Sequence, residues 1–97
     1  MFAKNSRYLT KGVQEMLKLE VQVFLWGLVD SLNDPKDYLQ VFELKKLAEG
    51  WVKVVHKQED PDYYSEALIE VPLDVDNIKI FVIDSGDYST MLLADEY

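Results

Sequence analysis

Ile78-Lys79-Ile80-Phe81-Val82-Ile83, Asp84-Ser85-Gly86-Asp87, Tyr88-Ser89-Thr90-Met91-Leu92-Leu93: this stretch decides the fold class of the chain. Two runs rich in β-branched, aromatic and other apolar residues flank a short polar segment with a glycine, the pattern of a β-hairpin. A two-residue turn at Ser85-Gly86 predicts the pairs Ile83–Tyr88, Val82–Ser89 and Ile80–Met91. Apolar residues fall on both faces of this hairpin, which predicts that it is central in its sheet or covered on both sides.

Working outward, the same period of two recurs upstream. Strands are expected near 38–46, 51–58, 63–71, 78–84 and 88–93, with Arg7-Tyr8-Leu9-Thr10 a weaker candidate. Leu47-Ala48-Glu49-Gly50 and Glu59-Asp60-Pro61-Asp62 are the turns between the earlier strands. Consecutive strands with short connections predict an antiparallel meander.

Before the strands the period changes to that of a helix, over about 18–33. Leu17, Val21, Phe24, Leu25, Leu28, Val29 and Leu32 form one broad stripe, and Asn33-Asp34-Pro35 ends it. Of that stripe, Phe24, Leu25, Leu28 and Leu32 are expected to meet Val41 or Phe42, Ile80, Val82 and Met91. Leu19, Val23 and Trp26, at i, i+4 and i+7, form a second apolar line nearly opposite the first. A helix apolar on two sides is sandwiched, either by a strongly curled sheet or by a second chain, so these three residues are a candidate partner or dimer face. The expected architecture is α+β: one long helix packed on a curved, mainly antiparallel sheet of five to six strands, in the order β-α-β-β-β-β-β. Residues 1–97 are expected to be a single domain.

The net charge of -8 and the acidic excess argue against nucleic acid, whose phosphates need clustered Lys and Arg. The imbalance is local. Residues 1–57 carry nine basic and seven acidic side chains, whereas residues 58–97 carry Lys79 against eleven acids. An acidic half marks either a partner surface or simple solubility, and solubility is the commoner meaning. With no cysteine there are no disulfides, thiolate metal sites or Cys nucleophiles. The start lacks the apolar stretch of a signal peptide, and Val21 to Val29 is too short to span a bilayer. These features lead to the expectation of a cytoplasmic protein with no membrane association.

No catalytic constellation stands out, and no enzyme activity is expected. His56 is the single histidine, on a strand face shared with Val52 and Val54. Its nearest sequence carboxylates, Glu59 and Asp60, lie across a turn. A structural or surface role is the plainer reading. His56, Glu59 and Asp84 are kept as candidates for a polar site. The paired acids Asp60/Asp62, Asp74/Asp76 and Asp84/Asp87 sit where turn chemistry favours Asp and match no calcium-loop spacing. The four glycines form no phosphate-cradling loop, so no cofactor or metal is expected.

The runs Arg7-Tyr8-Leu9-Thr10-Lys11-Gly12, Phe24-Leu25-Trp26, Tyr38 to Leu44, His56-Lys57-Gln58-Glu59-Asp60-Pro61-Asp62-Tyr63 and Ile83 to Leu92 resemble the bacterial domain of unknown function 960 family, seen in low-GC Gram-positive bacteria. The resemblance covers nearly the whole chain. That family has a proline near the helix start, where this chain has Lys18. The resemblance implies a cytoplasmic bacterial protein forming one complete domain, and it brings no activity, ligand or catalytic residue. Three readings of function remain. The first is a small acidic protein acting through an unidentified protein partner, with homodimerisation one form of this. The alternative is a small-ligand-binding or sensory domain with a pocket between helix and sheet. An enzyme using His56 with Glu59, Asp60 or Asp84 comes last.

Overall fold

The computed structural model describes all 97 residues. They form β1 (Arg7–Leu9), α1 (Lys11–Met16), α2 (Leu19–Asp30), β2 (Leu39–Ala48), β3 (Trp51–Gln58), β4 (Tyr63–Glu70), β5 (Asn77–Asp84), β6 (Ser89–Leu93) and a closing 3-10 turn (Ala94–Glu96). Gly50, at φ +80, turns β2 into β3, and Asp60-Pro61 turns β3 into β4. These two hairpins match the strands expected from the period of two.

The order across the sheet is β1-β6-β5-β2-β3-β4. The expected meander therefore fails after β4: β5 pairs with β2, on the far side of β3. Three hairpin-connected strands, followed by a fourth that returns beside the first, make a Greek key. The returning segment, Val71 to Asp76, has its own alternation, burying Val71 and Leu73 and half-burying Val75. The crossover also sorts strands by composition. β5, apolar on both faces, takes a central place, while the more polar β4 is left at the margin.

The β5–β6 hairpin has a register two residues from the expected one, with Val82 opposite Met91 and Ile83 opposite Thr90. Its loop is Ser85 to Tyr88, closed by a bond from the Ser85 N–H to the Tyr88 carbonyl, with Gly86 at φ +99. A slip of two keeps every side chain on its face, so the face assignment survived the register error. β1 runs parallel to β6, the one parallel pairing in the sheet.

One sheet face carries the helices. Val21, Leu25 and Val29 of α2, with Val13 and Leu17, pack into the core formed by Phe42, Leu44, Val52, Val54, Ile80, Val82 and Met91. The helix stripe is narrower than expected. Phe24 and Leu28 are half-buried, Leu32 lies outside the core cluster, and Val41 points to the other sheet face. α2 also stops three residues early. The Ser31 hydroxyl donates to the Leu28 carbonyl and its N–H to the Gly27 carbonyl, which caps the helix before Pro35 is reached. The short α1 has no expected counterpart; Thr10 caps it by accepting from the Val13 N–H. No helix is long and apolar enough to cross a membrane.

Candidate functional site

Alternation along β2 and β3 puts Gln40, Phe42, His56 and Gln58 on the helix-covered face, near the end where α2 terminates. Polar side chains on a buried face must find partners or forfeit their hydration. Here the partners are each other. The Gln40 amide nitrogen donates to Gln58 Oε1 at 2.6 Å and to the Asp37 carbonyl at 2.9 Å. Gln58 Nε2 donates to the Pro61 carbonyl at 2.8 Å, and its Oε1 also accepts from the Asp37 N–H at 3.1 Å.

That network assigns the histidine. With both Gln40 donor bonds used, its Oε1 faces His56, 2.7 Å from Nε2. Nε2 therefore carries the proton, and Nδ1 is a buried acceptor with no partner. The ring stacks on Phe42 with centroids 4.3 Å apart and meets Tyr63 edge-on at 5.2 Å. Burial pushes the imidazole down to about 4, so it is neutral at pH 7.

Asp37 extends the network to the surface. Its carboxylate accepts from the N–H groups of Leu39, Glu59 and Asp60, tying the α2–β2 loop to the β3–β4 turn. Partial burial works to raise its pKa, but these backbone donors outweigh it and hold the group below the usual carboxylate value. Between the loop and the turn lies a hollow of 410 Å³, with Asp34, Gln58, Asp62 and Tyr63 among its lining residues.

The structure does not assemble the expected polar candidates into one site. His56 touches Gln40, Phe42 and Tyr63 and no carboxylate. The Glu59 side chain is exposed, and its N–H is held by Asp37. Asp84 is half-buried at the end of β5, opposite Ser89, with its N–H on the Tyr38 carbonyl. No three His, Cys, Asp or Glu side chains converge as metal ligands. Gln40, Gln58 and Asp37 went unnoticed in the sequence. The signal for the glutamines was there, since both share a face with Phe42 and Val54 in the period of two.

The apolar line on α2 divides. Leu19 is 72% exposed and Val23 61%, whereas Trp26 is half-buried, with the Arg7 guanidinium 4.6 Å over its ring. On the opposite flank of α2, Glu20, Val21 and Phe24 border a hollow of 160 Å³ against Ile69, Glu70 and Val71 at the end of β4.

Fold and site together define a two-layer α+β domain, with a Greek-key sheet under one helical layer and a structural amide–imidazole network at one end. Residues 6–96 match the model of a family described as a staphylococcal protein of unknown function (DUF960), and the chain belongs to that family. Its fold is similar to that of a protein of unknown function from Enterococcus faecalis, known from a crystal structure. The two are 25% identical with a TM-score of 0.81, and the match covers 100% of this chain and 98% of the other. Among curated proteins, nothing matches.

Proposed function

We propose that the protein acts by binding other proteins, and that it pairs with a second copy of itself through the exposed flank of α2. The observation that carries this reading is the Leu19–Val23 pair. Two large apolar side chains one helical turn apart stay mostly in solvent on a helix that buries Val21, Leu25 and Val29 on its other side. A two-fold axis beside this flank brings Leu19 and Val23 of each copy against those of the other, with Trp26 and its covering Arg7 at the rim. The bacterial cytoplasm is the setting this acidic, cysteine-free chain suits.

Sedimentation tests it directly. Wild type is expected to be a dimer at high micromolar concentration, and the double variant Leu19→Lys/Val23→Lys a folded monomer with unchanged circular dichroism. A monomeric wild type ends the dimer reading. A second reading, small-ligand binding, draws support from the 410 Å³ hollow, whose size falls in the usual ligand range of about 300–1,000 Å³. It lies at the end of α2, however, and the hollow between α2 and the sheet is smaller than that range.

A further inference from the structure

β4 is a sheet margin, and one of its long sides has no neighbour. The Val71 N–H donates to the Gly50 carbonyl at 2.8 Å. Along an antiparallel strand, successive residues turn their backbone groups to alternate sides. Counting back from Val71, Ile69, Ala67, Ser65 and Tyr63 bond towards β3. Tyr64, Glu66, Leu68 and Glu70 therefore direct their N–H and C=O groups away from the sheet, and all four are exposed.

Inside this free side lies the slot between α2 and β4. Phe24 and Val21 form one wall and Ile69 the other, with Glu20 and Glu70 at the rim. The 160 Å³ available suits an apolar side chain better than a whole ligand. A free strand edge with an apolar slot between it and a helix is the geometry in which an extended peptide adds to a sheet. Main-chain bonds then supply affinity, and alternate side chains supply selection.

The charge of the margin says which peptide. From Gln58 to Asp76 there are seven carboxylates and no Lys, Arg or His. Glu66 has Lys53 at 3.5 Å, but Glu70 and Glu20 have no ion-pair partner. A second copy adding β4 to β4 would bring like charges across the new pairing, which disfavours it. Charged side chains also serve to keep sheet edges from aggregating, but that role does not require a slot lined by Phe24.

We propose that the β4 margin is a docking edge for an extended, basic segment of a partner protein. The segment adds a seventh strand, places an apolar side chain in the Phe24–Ile69 slot and sets Lys or Arg beside Glu66 and Glu70. This rests on the reading of the chain as a protein-binding module and names a partner class for a surface away from the proposed dimer flank.

The probes are a ten-residue peptide alternating Val with Arg and its counterpart alternating Val with Glu, titrated into the isotope-labelled full chain. With the Arg peptide, amide shifts and slowed hydrogen exchange are expected at Tyr64, Glu66, Leu68 and Glu70, with none at β1. The Glu peptide should leave them unmoved. Glu66→Gln with Glu70→Gln should weaken binding about tenfold. Leu68→Pro removes an outward N–H and no bond to β3, so it should abolish binding in a folded chain; if that variant unfolds, the glutamine pair still decides. Silence at β4 with millimolar Arg peptide overturns the proposal. So do shifts scattered over Asp74, Asp87 and Asp95 that persist in the glutamine pair. Peptide binding retained in Leu19→Lys/Val23→Lys supports this edge whatever the dimer test shows, and a dimer that ignores the peptide overturns this edge alone.

Discussion

The two margins of the sheet are built in opposite ways. β1 has three residues, runs parallel to β6 and is stapled from several directions. Arg7 pairs with Asp30 of α2, donates to the Phe2 carbonyl at 2.8 Å and covers Trp26. Thr10 caps α1 and donates to Glu96 at 2.7 Å. β4 has eight residues, is joined to β3 by a hairpin and a full ladder, and bears nothing along its outer side. A short parallel strand contributes few ladder bonds and depends on side-chain anchors. A long hairpin strand is held by one neighbour and can leave its other edge free.

The largest effect is expected under the β4 margin, where His56 lies opposite Ser65. An unfolded histidine titrates near 6.5, and this one at about 4. Between those values the unfolded chain binds a proton that the folded chain refuses, so stability falls as pH drops from 6.5 to 4, by up to about 3 kcal/mol. Asp30, Asp37, Glu43 and Glu96 have lowered values, and their stabilisation is lost only as pH falls further, through their folded-state values. Urea melts at pH 7, 5.5 and 4.5 should show the upper slope in wild type and a flat line over it in His56→Gln. The same slope in the variant would assign it to another group.

At the other margin, Arg7→Ala strips Asp30 and Trp26 together. A loss of about 2 kcal/mol is expected, the range for hydrogen bonds to charged groups. Amide exchange should quicken at β1 and stay unchanged at β4; equal loosening of both would erase the contrast between them. The smallest effect is at Gly12, where an added Cβ would lie 2.6 Å from the Glu96 carboxylate and 2.8 Å from Leu93 Cδ1. Glu96 is held by Thr10 and by the Leu93 N–H, so it has limited freedom to withdraw. Gly12→Ala should lower stability by about 1 kcal/mol despite the better helix propensity of alanine, as read from thermal melts.

Much of the local structure was legible. The span of β3 and the turns at Gly50 and Pro61 follow from alternation and turn chemistry, and the helix is where the 3.6 period puts it. The end of α2 was misplaced because a Ser31 side-chain cap acts before the proline does. Spacing grouped Trp26 with Leu19 and Val23 as one line to be covered by a curled sheet or a second chain; it could not show that Arg7, nineteen positions earlier, lies across the Trp26 ring alone.

The sequence by itself determined which way each strand residue faces, because a period of two is a local property of extended backbone. It therefore placed Ile80, Val82 and Met91 on one buried face whatever the hairpin register, while the choice between Val41 and Phe42 on β2 fell to the packed structure, which buries Phe42. Only the tertiary structure decided which strands are neighbours. β5 lies beside β2, and β4 is left as a free acidic edge, because pairing is settled by competition among whole strands for the centre of the sheet. It also decided that His56 is closed into an amide network with Gln40 and Gln58, since contacts between residues sixteen and eighteen positions apart arise only once β2 and β3 are in register.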